Sequence, residues 1–183
     1  MKLYKVLGKE GKPCNGGTGV WHLPKGKRPG KWMPAIENIQ ACKRGYHLCR
    51  KGDLLNWFNE TIYEAEGKGR NIKRNDKIVY EKARLICQLN WDNKIARLFA
   101  ADCASRALKR FEKEFPSDKR PRLAIKAARN FARGKISQEE LDAAQSAAQS
   151  AAESAASPAA QSAASRNENA WQTKRLMKYL NGA

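Results

Sequence analysis

The sequence predicts an α+β protein: a small, mostly antiparallel β unit with one short helix over residues 1–89, then a helical half over 90–183. Three observations carry this. Short β-prone runs separated by Gly/Pro loops fill the first half. From Ile95 onward the apolar spacing turns helical, through Leu98, Phe99, Leu108, Phe111 and Phe115. Residues 143–165 then repeat a four-residue alanine-rich unit (AAQS, AAQS, AAES, AASP, AAQS, AAS), and alanine is the strongest helix former.

In order along the chain, Leu3–Leu7 reads as a strand ended by Gly8. Residues 11–19 hold Gly11, Pro13, Gly16, Gly17 and Gly19 and read as a loop. Val20–Leu23 reads as a second strand before a loop from Pro24 to Pro34, and Tyr46–Cys49 as a third. Asp53 suits the cap of a short helix from Leu54 to Phe58. Thr61–Glu66 alternates as a strand. The longest strand, Lys77–Leu89, places Val79, Ala83, Leu85, Cys87 and Leu89 on one side. Asn90 or Asp92 caps the next helix and Pro116 stops it. Asp118 starts another, with Pro121 in its first turn and Gly134 at its end. Ser137 and Glu140 form a capping box. The repeat predicts two consecutive helices, about 137–156 and 158–180, divided at Ser157–Pro158 and anchored at the end by Trp171, Leu176, Met177, Tyr179 and Leu180. Its paired alanines drift about 40° per four residues and make a shallow stripe that a partner helix approaches by shape.

The 183 residues carry 36 Lys and Arg against 18 Asp and Glu, a formal net charge of +18. Such a field attracts polyanions and is screened by salt. The excess concentrates in two windows. Between Leu23 and Lys51 the many cations face only Glu37, and between Lys94 and Lys135 they face Asp102, Glu112, Glu114 and Asp118. The stretch around Lys25, Lys27, Arg28 and Lys31 is too rich in Gly and Pro to pack, so its charges should face solvent. With Trp32, Lys43 and Arg44 beside it, cations for phosphates interleave with rings for bases. The second candidate contact is the basic helix carrying Lys119, Arg120, Arg122, Lys126, Arg129 and Arg133.

Other chemistry is expected to be absent. Cys14, His22, Cys42, His47 and Cys49 lie close in sequence but show no C-x2-C pair, so no metal site is expected. His47 and Cys49 share a strand face, yet a nucleophilic pair needs a third, orienting group. No Walker loop or nucleophile elbow is present, and the Gly16-Gly17-x-Gly19 stretch suits a turn. Glu64 and Glu66 suit ion pairs with neighbouring Lys and Arg. The expectation is a protein without catalytic residues or cofactor. No run nears the ~20 apolar residues of a membrane span, the Met1–Lys5 start lacks a secretion signal's apolar stretch, and five Cys fit reduced thiols, all of which points to the cytoplasm.

The stretches GTGVWHLPKGKRPGKWMP, CKRGYHLCRKGDLLNWF and IYEAEGKG resemble a small domain common in phage genomes. The segment RLFAADCASRALKRFEKEFPSDKRPRLAIKAARNFARGKIS, the alanine-rich helices and WQTKRLMKYLNG are similar to a helical family of immunity proteins. The resemblance implies a phage or mobile-element protein that neutralises a toxin or a host defence system, the setting of inhibitors of CRISPR effector nucleases. Its expected partner is a protein that handles nucleic acid, with DNA or RNA touched directly in one version, and no membrane. The order strand, GYHLC, short helix, IYEAEG also resembles the core of ADP-ribosyltransferase-like folds, which gather a His or Arg, an aromatic or Ser, and a Glu around a nicotinamide cofactor. Those three positions are not all assignable here, so a shared fold is expected without activity; an ADP-ribosyltransferase-like enzyme is the alternative function, and a toxin-neutralising immunity protein with protein-only contacts the other.

Overall fold

The computed structural model describes residues 1–154 and 165–182, with the backbone alone for 150–154, 165 and 166. It is α+β, as predicted. Four strands, β1 (Leu3–Leu7), β2 (Tyr46–Leu48), β3 (Thr61–Lys73) and β4 (Ile78–Gln88), form one antiparallel sheet in the order β1-β3-β4-β2. Four α-helices follow among the described residues: α1 (Asn93–Glu114), α2 (Arg120–Ala132), α3 (Gln138–Ser154) and α4 (Ser165–Leu180). The predicted division at Ser157–Pro158 lies outside the described residues.

Two compact units emerge, Met1–Trp91 with Asn169–Ala183, and Asp92–Glu168. In the first, Tyr4 and Cys49 exchange both backbone hydrogen bonds at 2.8 Å, which joins β1 to the residue just after β2. The two edges of the sheet therefore meet and it curls into a small, nearly closed cylinder. Leu3, Leu7, Trp21, Met33, Leu48, Tyr63, Ala65, Ile78, Ala83 and Leu85 fill it. Where β2 ends, the coil before it continues along β4: Gly30, Met33 and Ile36 donate N–H groups to Leu85, Ala83 and Glu81 at 2.8–2.9 Å. That covers an edge which would otherwise offer unpaired backbone. On β1 the outer residues Tyr4 and Val6 are buried as well. Leu176 and Leu180 of α4 are buried, and Asn90 donates its backbone N–H to Leu180 O and its side-chain amide to Tyr179 O, both at 3.2 Å.

Three local expectations need correction. Val20–Leu23 is not a strand: Trp21 does bury, but its N–H goes to Gly11 O and the segment stays irregular. The helix expected at Leu54–Phe58 is a 3-10 helix at Lys51–Asn56. Asp53 is its third residue, not its cap, and reaches back to the Arg50 N–H at 2.9 Å. Arg50 closes the clamp by donating Nε to Asp53 (2.7 Å) and Nη2 to Arg74 O (2.8 Å) in the β3–β4 turn. Finally, β3 runs well past Glu66, through Gly67 and Gly69. Gly67 is required because a Cβ there would sit 2.4 Å from the Tyr80 ring, and Gly69 holds φ +86° in a bulge where the register shifts between Lys68 and Asn71.

In the second unit α2 packs against both α1 and α3. Asp92 caps α1, accepting from Ile95 N at 2.7 Å. Chain direction reverses after α2 at Gly134, φ +68°, whose N–H bonds Phe131 O. The Ser137–Glu140 box forms as the sequence predicts: Ser137 N donates to Glu140 at 2.8 Å and Glu140 N to Ser137 Oγ at 3.2 Å. The helix predicted to begin at Asp118 begins at Arg120, because Asp118 stays outside and accepts from Arg120 N at 3.0 Å.

Candidate functional site

Strand alternation puts Lys5 between Leu3 and Leu7, on the face that lines the cylinder, in a strand buried on both sides. Lys5 itself is half-buried. It donates to His47 O at 3.1 Å and lies 5.1 Å from the Trp21 ring centroid. No carboxylate among the described residues pairs with it. Burial pushes its pKa below the usual lysine value.

Lys5 opens into a cavity of about 600 Å³. Its walls come from the glycine-rich loop 13–19, the turn 42–45, β2, Trp57 and Lys77. Trp21 meets Tyr46 edge to face at 5.4 Å, and the Tyr46 hydroxyl donates to Pro34 O at 2.8 Å. Lys77 lies 4.7 Å from the Trp57 centroid and 3.2 Å from Asp76, whose carboxylate is outside the lining. No Asp or Glu lines the cavity among the described residues. Its volume and mixed lining are those of a small-molecule site.

Three other groups of the cavity, His47, Cys49 and Cys14, are poorly placed for nucleophilic chemistry. His47 Nε2 accepts the Cys42 N–H at 2.9 Å, which fixes that nitrogen unprotonated, and burial lowers the His47 pKa. With Nε2 so occupied, His47 is not available to activate Cys49, whose thiol burial pushes up to about 12. Cys14, which donates to Val6 O at 3.7 Å, is raised by the same cause. Among the described residues no group of three or more His, Cys, Asp or Glu could hold a metal ion. Glu64 and Glu66 pair with Lys2 (2.9 Å) and Arg84 (2.7 Å).

The predicted contact residues fall in two settings. Lys25 and Arg28 exchange backbone hydrogen bonds at 3.0 Å across a tight turn that presents Lys27. Lys25, Lys27, Arg28, Lys31, Lys43 and Arg44 are all exposed, and no ion pair reaches them among the described residues. Trp32 is half-buried, with the Arg84 guanidinium 4.7 Å from its ring. Lys43 and Arg44 also line the cavity. On α2 the cations are mostly engaged within their own unit. Arg120 pairs with Asp118 (2.8 Å), holding that carboxyl below its usual pKa, Arg122 forks onto Glu112 (both bonds 2.6 Å), and Arg129 binds Asp102 and Ser105 (both 2.9 Å). Lys119 donates to Pro116 O at 2.6 Å, while Lys126 and Arg133 are exposed.

Sequence reasoning missed Lys5 and the cavity. The signal was there: a lysine between two leucines at strand spacing, on the face that must be apolar.

No helix among the described residues is long and apolar enough to cross a membrane. No curated protein and no solved structure matches the chain. Residues 91–176 match the family model described as Imm-5 like putative immunity protein, which makes the helical part of this chain similar to that family.

Proposed function

We propose that this protein is an inhibitor from a phage or mobile element, acting by binding rather than catalysis on a defence protein that handles nucleic acid. A CRISPR effector nuclease is an example of such a target. The observation that carries the reading is the match of residues 91–176 to an immunity-protein family, a description that implies neutralisation of another protein. The unpaired cations of the Lys25–Lys31 loop support nucleic acid as part of the contact. A groove built for nucleic acid is itself positive and would repel a chain of net charge +18, so the loop meets the nucleic acid held by the target or an acidic patch beside it.

The test is capture of partners from a bacterial lysate by the full chain, before and after nuclease treatment. Loss of the partner on treatment, and loss with Lys27→Glu/Arg28→Glu, is expected. Direct binding to duplex DNA also requires log K to fall by about 0.9 per phosphate contact for each unit of log salt. One observation favours a second reading, an immunity protein with protein-only contacts: Arg120, Arg122 and Arg129 are already neutralised by carboxylates of their own unit. Partner retention after nuclease treatment selects it.

A further inference from the structure

We propose that the cavity around Lys5 is a binding site for a phosphorylated small molecule of nucleotide size, a function independent of the inhibitor reading above. Three features converge on it. First, the ammonium of half-buried Lys5, in a strand whose other residues are buried on both faces, has a single carbonyl partner, His47 O, and no carboxylate among the described residues. Removing a charge from water is costly unless an opposite charge compensates, and among the described residues none does. Second, the remaining charged side chains of the wall, Lys43, Arg44 and Lys77, are also cations. The site therefore selects for negative charge and excludes cationic ligands. Third, part of the wall is glycine-rich: Gly16, Gly17 and Gly19 lie in the loop that lines it, and a Cβ at Gly16 or Gly19 would meet nothing within 4 Å. Unobstructed backbone of this kind lets an anion approach amide groups closely.

Phosphate suits this set better than carboxylate. Its two charges match several cations, and its three oxygens can engage Lys5 and rim donors together. About 600 Å³ leaves room for an organic body beyond the phosphate, and Trp21, Tyr46 and Trp57 give that body a largely aromatic wall. A ring-bearing phosphate monoester satisfies both halves. Bound phosphate would raise the Lys5 pKa toward its ordinary value, so the ligand supplies the partner that burial denies it.

The experiment is calorimetric titration of the full chain with 5′-AMP, adenosine and inorganic phosphate at moderate ionic strength, paralleled by tryptophan emission, since Trp21 and Trp57 line the cavity. Expected are one AMP per chain, an emission change, and adenosine weaker by about ten-fold or more. Lys5→Met should lose about ten-fold or more in AMP affinity while raising the melting temperature, because methionine keeps the length and removes the buried charge. Lys27→Ala, outside the cavity, should bind AMP like the parent. Should Lys5→Met fail to fold, Lys77→Gln takes its place with the same expected loss. Equal affinity for AMP and adenosine, undiminished binding by the cavity variant, or a loss that follows Lys27→Ala instead would each overturn the proposal.

Discussion

Replacing Gly30 by alanine isolates what holds the basic loop to the sheet. A Cβ at Gly30 would lie 2.0 Å from the His22 carbonyl oxygen. Real Cβ atoms essentially never come nearer than 3.0 Å to a neighbour, so the backbone must open by about 1 Å. Opening there pulls on the Gly30 N–H bond to Leu85 O at 2.8 Å and on the Met33 bond to Ala83 O at 2.9 Å. With each net hydrogen bond worth about 1 kcal/mol, the substitution costs about 2 kcal/mol or more. That lowers Tm by about 4–8 °C for a chain of this size. Tryptophan emission is the appropriate assay because all five tryptophans, Trp21, Trp32, Trp57, Trp91 and Trp171, belong to the first unit. Two control substitutions separate sterics from glycine's backbone freedom. Gly19→Ala meets nothing within 4 Å and should stay within about 0.5 kcal/mol of the parent. Gly26→Ala also meets nothing but holds φ +58° in the Lys25–Arg28 turn, and should cost about 1 kcal/mol. A Gly30→Ala protein that melts with Gly19→Ala would refute the close approach, and with it the anchoring of the loop along β4.

Two further substitutions probe the first unit. Asp53→Ala leaves Arg50 without its carboxylate and unties the 3-10 helix from the β3–β4 turn; a loss of about 2 kcal/mol in urea unfolding is expected, with Asp53→Asn losing less because it keeps an acceptor for the Arg50 N–H. His47 has a pKa depressed by burial, so the unfolded chain takes up this proton first on acidification. Its share of stability is intact above the unfolded value of about 6.5 and is lost as pH falls from there toward the folded pKa. Unfolding midpoints measured between pH 7.5 and 5 should therefore decline more steeply for the parent than for His47→Gln, and parallel slopes would count against the burial of the imidazole.

Much of the fold was legible because local chemistry and tertiary structure agree. Leu3–Leu7 needs only its composition, and the Asp92 cap and Ser137–Glu140 box are short-range hydrogen bonds whose donors and acceptors lie three residues apart. The misreadings are long-range in origin. The strand read as ending at Glu66 continues through Gly67 because Tyr80, across the strand pair, occupies the space above that glycine. Val20–Leu23 has strand composition, but the β4 carbonyls nearby are taken by Gly30, Met33 and Ile36, and Trp21 turns into the core instead. Of the candidate site, the exposed loop at Lys25–Lys31 could be read from its Gly and Pro content alone. The cavity could not, because its wall gathers Lys5, Cys14, Tyr46 and Lys77 from separate parts of the chain, and only the closure at Tyr4–Cys49 brings β1 and β2 together.

A net charge of +18 is thus several different physical situations, and each calls for a different partner. On α2, arginines matched to carboxylates contribute little field at a distance, since each pair is close to neutral beyond a Debye length of ~8–10 Å. Cations of the Lys25–Lys31 loop are solvated and unpaired, so they act at long range and lose their effect in salt. Lys5 is neither: half-buried in the cavity wall, it is screened less by salt than the loop and discriminates for an anion small enough to enter. Raising ionic strength should therefore separate the two sites in one molecule, weakening polyanion binding at the loop steeply while small-anion binding in the cavity declines far less. A common salt slope for both would mean that the small anion never reaches Lys5.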